Sequence, residues 1–300
     1  MPNAQTRFQL PYGIQIALSE TLRQLTGHDV EIKRVETVSG GCIHHVRKLE
    51  TSSGQYCLKW AGPQQANMLA REVQNLGLLR ETNTVSLPHL YHHADTAQGA
   101  YFLLMEWLEP DLPATMTWAQ LGRQLACLHR HRHRSFGLHY DNYIGWLPQH
   151  NHTHSTWAAF FIHERLERQV KMASDQGLID KALRSRFRRL YDKAESIFPQ
   201  EAPALLHGDL WSGNVIVGPE GKAFLIDPAT YYGHRECDLA FTQLFGRFDD
   251  RFYEAYHETY PLEEGYQYRY GIYNLYPLMA HVNMFGKSYL SEVNAILKKL

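Results

Sequence analysis

Cysteine is scarce in this 300-residue chain: Cys42, Cys57, Cys127 and Cys237 are too few and too scattered for a disulfide scaffold, and no CxxC pair invites zinc. No apolar run approaches the roughly 18 residues that a membrane span requires. The opening MPNAQTRFQL lacks a cationic segment followed by an apolar core, so no secretory leader is expected. Excess charge is missing too. Thirty Lys and Arg against 31 Asp and Glu leave a formal net charge of −1, which argues against a nucleic-acid binder working through bulk charge. With 44% hydrophobic and 20% charged residues the composition is that of an ordinary globular protein. The expectation is a soluble cytoplasmic protein with no membrane or nucleic-acid partner.

What is present divides the chain into two textures. Ile14, Leu18, Leu22 and Leu25 recur at helical spacing before Gly27. Strand-like segments follow: EIKRVETV, then IHHVRKLE, then QYCLKW, in which Tyr56, Leu58 and Trp60 alternate with Cys57 and Lys59. Lys59 therefore projects from the face opposite the aromatic pair. A helix is expected over 64–80, with strands around Leu90 and over 101–108. Beyond Glu109-Pro110 helical periods dominate, with Trp118 to Leu128, Trp157 to Val170 and Leu183 to Ala194, interrupted by the β-rich ALLHGDLWSGNVIVGPEGKAFLID. The predicted class is α+β: a small β-rich N-terminal lobe (1–108) and a larger, mainly helical C-terminal lobe (109–300), hinged near 105–110.

The β-rich interruption carries the chemistry. His207, Asp209 and Asn214 form HxDxxxxN, and Asp227 follows 13 residues after Asn214. Phosphoryl transfer from a nucleotide needs one carboxylate to accept the proton of the attacking hydroxyl, here Asp209. It also needs an amide and a second carboxylate, Asn214 and Asp227, to hold Mg²⁺ against the phosphates of ATP. A hairpin turning at 218–221 would bring Asn214 and Asp227 to the same end of two paired strands. Either piece alone is a polar turn or a strand end; their order, downstream of a β-rich lobe with a strand lysine, is what makes them specific.

The first lobe supplies the complement. Gly40 and Gly41 sit in a β-turn-β segment where backbone N–H groups could approach phosphate. Lys59, paired to a helix glutamate, would clamp the α and β phosphates, and Glu72 is the best-placed candidate. Cys57 shares the face of Lys59 and would line the adenine pocket, with Met105, Glu106, Trp107 and Leu108 at the lobe junction. There is no Walker A motif, and no HRD, DFG or APE: position 208 is Gly, and Asp227 is followed by Pro228 and Ala229. A small-molecule kinase fits better than a protein kinase switched by a phosphorylated loop.

HGDLWSGN followed by IDPATYYGHRECDLA resembles the fructosamine kinase family, the ketosamine kinases of the protein-kinase-like fold. GGC at 40–42, CLKW around Lys59, MEWL at the hinge, FG-x-x-x-DN-x-IG over 136–145 and PQ-x-N before Trp157 extend the likeness over roughly 38 to 245. The resemblance implies ATP-dependent phosphorylation of a sugar hydroxyl on a fructosyl- or ribulosyl-lysine, free or protein-borne. It implies Asp209 as base, Asn214 and Asp227 as metal ligands, 105–107 in the ATP site, and Asp238 as the brace of the catalytic loop. One departure is the pair His44 and His45 after Ile43, where the family often has Asn. The alternatives are another small-molecule kinase of this fold, for an aminoglycoside, choline or a sugar, and a nucleotide-binding module without catalysis.

Three further readings complete the site. Trp211, two residues after the base, offers an indole face for sugar C–H groups or simply fills core. Asp141 and Asn142, with Gln149, are candidate substrate contacts that could equally be turn residues. Cys42, in the phosphate loop, is a candidate for oxidation, so the chain is expected as a monomer or a redox-sensitive dimer. His150, His152 and His154 are read as solvated loop histidines lacking carboxylate partners, and RHRHR (130–134) and RSRFRR (184–189) as exposed helix surface.

Overall fold

The computed structural model describes residues 10–38 and 45–300. The predicted phosphate loop, with Gly40, Gly41 and Cys42, lies outside the described residues.

Helix α1 (Tyr12–Thr26) ends where Gly27, at φ 79°, turns its N–H back to Arg23 O. Strands β1 (Ile32–Thr37), β2 (His45–Thr51) and β3 (Gly54–Ala61) are followed by helix α2 (Ala66–Glu81), β4 (Leu90–Asp95) and β5 (Tyr101–Glu106). The five strands form one antiparallel sheet in the order β1-β2-β3-β5-β4. Strand alternation decides which helix covers which face. Tyr56, Leu58 and Trp60 of β3, with Phe102 and Leu104 of β5, pack under Ile14, Leu18 and Leu22 of α1. Ala61, Leu103 and Met105 turn the other way, onto Leu69 and Leu76 of α2. Strand β5 is thus covered on both faces, which is why YFLLM is an unbroken apolar run.

Past the junction, α3 (Thr117–Leu128) leads to the short hairpin β6 (Asn142–Ile144) and β7 (Leu147–Gln149). The single helix expected from Trp157 to Val170 is instead α4 (Trp157–Phe160), a wider π-helical turn over Phe161–Leu166, and α5 (Glu167–Asp175). This turn puts Arg165 entirely inside, where it donates to Asn151 Oδ1 (2.7 Å) and lies 4.0 Å over the Tyr231 ring. Helix α6 (Lys181–Ile197) precedes β8 (Ala204–Leu206), β9 (Val215–Val217), β10 (Ala223–Leu225) and β11 (Tyr231–Gly233). Strands β9 and β10 pair as the expected hairpin, and β8 pairs with β11. Helices α7 (Glu236–Phe241), α8 (Asp250–Thr259), α9 (Tyr266–Phe285) and α10 (Leu290–Leu297) complete the lobe. Its core joins Leu125 and Leu128 of α3, Phe252 and Tyr256 of α8, and Tyr273 and Leu278 of α9. Among the described residues no helix is long and apolar enough to cross a membrane.

Candidate active site

Lys59 stands on the α2 side of β3, 5% exposed, and its ammonium meets both oxygens of Glu72 at 2.8 and 2.9 Å. The same nitrogen reaches Asp227 Oδ1 at 2.6 Å. Burial opposes the charge of Lys59, but Asp227 and Glu72 more than offset it and hold the ammonium protonated well above the ordinary lysine range. Burial pushes the Glu72 carboxyl up, with Lys59 pulling against it. Glu72 lies on α2 beside the apolar stripe of Leu69 and Leu76, so the packing that seats the helix on the sheet also delivers the carboxylate to Lys59.

The catalytic-loop pattern is held by its backbone. His207 donates from Nε2 to Ile226 O (3.0 Å) and accepts the Asp209 N–H at Nδ1 (3.3 Å), while the Ala229 N–H returns to His207 O (2.9 Å). Gly208 adopts φ 83°, and a β-carbon there would collide with Ala229 O. That contact explains why this loop carries Gly between His207 and Asp209. Asp238 is buried and accepts the N–H groups of His207 (2.7 Å) and Gly208 (2.9 Å), with His129 Nε2 at 3.1 Å. Burial would raise the Asp238 carboxyl, but hydrogen bonds and the neighbouring imidazoles hold it below the usual aspartate value.

Asn214 turns its amide nitrogen to Asp209, reaching the backbone O at 2.8 Å and Oδ2 at 3.0 Å. The Asp209 carboxyl is pushed up to about 7, first by burial and then by Asp227 and Asp238, against the Asn214 hydrogen bond. Asp227 occupies the left-handed region at φ 53°, unusual for a non-glycine residue and common where function dictates the backbone. The Asn214 amide and the Asp227 carboxylate are hard oxygen donors of the kind Mg²⁺ prefers, so the donor chemistry fits that ion.

Two clefts converge on these groups. One, of about 370 Å³, is lined by Val38, Val46, Cys57, Met105, Glu106, Trp107 and Leu108 above, and by Ile216 and Ile226 below. Its apolar faces and its end at Lys59 and Asp227 suit an adenine base with its phosphates. Burial raises the Cys57 thiol to about 12, so it stays protonated in that wall. At the hinge, Glu106 exchanges backbone N–H and side-chain contacts with His89, and Trp107 donates to Glu109 Oε2 (2.7 Å). The second cleft, of about 350 Å³, opens from Asp209 and Trp211 toward Trp146, His281, Met284, Phe285 and Tyr289.

Two expected acceptor contacts fall elsewhere. Asn142 is 1% exposed, and its amide is consumed by Thr230 O, Asn75 Oδ1, Gln149 and Asn151, so it braces the cleft floor rather than lining it. Asp141 accepts the Asn151 N–H (2.8 Å) and meets His150 (2.8 Å), a turn role away from the cleft. The next residues, Tyr143 to Trp146, take the lining positions. The histidine run also differs from expectation: Glu164, 6% exposed, meets both His152 (3.3 Å) and His154 (3.2 Å), a carboxylate delivered by the π-helical turn.

The sequence reading missed Asn75. One turn beyond Glu72, its amide donates to Pro228 O (2.8 Å) and accepts from Tyr140 and Asn142, tying α2 to the segment after Asp227. A polar residue next to the apolar stripe of α2 was the available signal. Trp146 and the C-terminal wall carried none, because only the folded chain brings them to the cleft.

Comparison with known proteins settles the family. The family model described as Fructosamine kinase matches residues 15–300. The chain belongs to the fructosamine kinase family. It is 38% identical over 267 residues to the "Probable ketoamine kinase" of Enterococcus faecium, covering 88% of this chain and 94% of the relative. It is 33% identical over 275 residues to the chloroplastic "Protein-ribulosamine 3-kinase" of Arabidopsis thaliana, covering 90% and 83%. The solved structure of a "putative fructosamine-3-kinase" from Haemophilus somnus superimposes with a TM-score of 0.84 at 31% identity, covering 94% and 96%. An aminoglycoside phosphotransferase, at 16% identity and TM-score 0.60, shares the fold. This family member therefore has the protein-kinase-like fold and is an ATP-dependent phosphotransferase.

Proposed function

We propose that the chain transfers the γ-phosphoryl group of ATP to a sugar hydroxyl of a ketosamine of the fructosyl- or ribulosyl-lysine type. The observation that carries this is the place of Asp209: its carboxylate, oriented by Asn214, faces the Trp211-walled cleft at the end of the nucleotide groove. An acceptor hydroxyl set against Asp209 Oδ would be oriented for attack and would pass its proton to that carboxylate. Lys59, kept in place by Glu72, would neutralise phosphate oxygens, and Trp211 would pack on the sugar. Mg²⁺, held by Asn214 and Asp227, supplies charge neutralisation at the phosphates when bound.

The family membership and the names of the relatives support a ketosamine acceptor. The test is ADP release with Mg-ATP and ribulosyl- or fructosyl-lysine, with Asp209→Ala as control. Turnover abolished in the variant is the expected result. Nucleotide binding without turnover of any ketosamine would redirect the assignment to another hydroxyl acceptor.

A further inference from the structure

A chain of aromatic rings runs from the base to the mouth of the second cleft. Trp211 meets Phe245 at 6.1 Å between centroids, Phe245 meets His281 at 4.6 Å, His281 meets Phe285 at 5.5 Å, and Phe285 meets Trp146 at 5.2 Å. The last two rings stand 85° apart, edge to face, and remain 49% and 37% exposed for Phe285 and Trp146. Two large rings packed edge to face at the cleft mouth, one from the β6–β7 turn and one from the end of α9, are apolar surface that the fold leaves uncovered.

His281 adds a directional group. Its Nδ1 lies 2.8 Å from Pro277 O, and because a carbonyl only accepts, Nδ1 carries the proton. In the neutral ring Nε2 is then an acceptor on a side chain that lines the cleft. Burial keeps the ring neutral by lowering its pKa. Two cations line the same cleft: Arg71, bound to Gln74 (2.7 Å) and over the Tyr140 ring, and Lys59, held by Glu72 and Asp227.

We propose that this wall is the subsite for the amine side of the acceptor: His281 Nε2 accepts from the protonated secondary amine of the ketosamine, and the exposed surface of the contacting Trp146–Phe285 pair takes the alkyl chain beyond it. The proposal rests on the ketosamine reading above. Aromatic faces attract cations, and a methylene chain loses water against the two rings. The specificity follows from chain length. A sugar linked to a lysine side chain carries methylenes to set against this ring pair, whereas a sugar linked to methylamine carries none.

The experiment compares two acceptors bearing the same ketose, one on the lysine of a short blocked peptide and one on methylamine. The readout is the ratio of their kcat/KM values. Wild type is expected to favour the peptide, and Trp146→Ala or Phe285→Ala to lower the ratio by roughly tenfold, through KM, as when uniform binding to a chain of methylenes is removed. Trp146→Phe is expected to retain most of the ratio. Equal losses on both acceptors, no loss on either, or a Phe variant as impaired as Ala would overturn the subsite. Turnover of neither acceptor by wild type would overturn the ketosamine reading and the subsite with it. Normal use of both with an unmoved ratio would overturn the subsite alone.

Discussion

Lys59 and Asp227, 168 residues apart in sequence, meet at 2.6 Å across the nucleotide cleft. The same ammonium holds Glu72 at 2.8 Å, so one nitrogen joins β3, α2 and the Asp227 carboxylate. Lys59→Met removes the cation between the two acids and is expected to weaken nucleotide binding by at least ~10-fold. It should also cost ~3 kcal/mol of stability, as when one partner of a buried pair is deleted. Titration with a fluorescent nucleotide and urea unfolding measure the two effects. Unchanged affinity would remove Lys59 from the phosphate site.

Asp209→Asn preserves the shape of the loop and its link to Asn214 while removing the acceptor for the hydroxyl proton. The expected loss is ~10²–10⁴ in kcat, with nucleotide affinity kept within about twofold. Turnover near wild type would displace Asp209 as the base.

Gly208→Ala tests the contact between the two loops. The residue would be forced to keep φ 83° while its new methyl met Ala229 O, and the expected cost is above ~3 kcal/mol, with loss of turnover. Gly62→Ala is the control, since a β-carbon there meets nothing within 4 Å. Comparable melting temperatures for the two variants would contradict the proposed steric role.

His234 is fully buried against Trp157 and Tyr273, and burial pushes its pKa down to about 3 from 6.5. In the unfolded chain it takes up a proton below pH 6.5 that the folded chain refuses. Its contribution is therefore complete above pH 6.5 and is lost as the pH falls toward 3, by up to ~1.4 kcal/mol per pH unit. His129 and His207, also lowered by burial, act in the same direction. His234→Phe is expected to lose less stability than wild type between pH 6.5 and 4.5, read from urea midpoints. Parallel curves would show that His234 does not drive the acid sensitivity.

The residues proposed to react, which the fold brings together, were legible because each lies in a local pattern. Lys59 is placed by strand alternation, Glu72 by its position beside a helix stripe, and Asp209, Asn214 and Asp227 by a loop and hairpin of short span. Asn142 was misplaced for a physical reason: polarity marks a residue that needs partners, and it does not say whether those partners are ligand atoms or the carbonyl of Thr230 and the amides around it. The π-helical turn at Phe161–Leu166 was hidden because one widened turn barely disturbs an apolar period, yet it moves Arg165 inward and Glu164 to the histidines. Trp146 and Phe285, far apart along the chain, face each other only through the packing of α9 on the rest of the lobe.

The close seat of Gly208 on Ala229, with the backbone link from Ala229 to His207, has a mechanical consequence. Two main chains stitched at this distance, with α2 moored to Pro228 by Asn75, tie the segments of Asp209, Asp227 and Glu72 into one unit, so a load on any of them is felt by the other two.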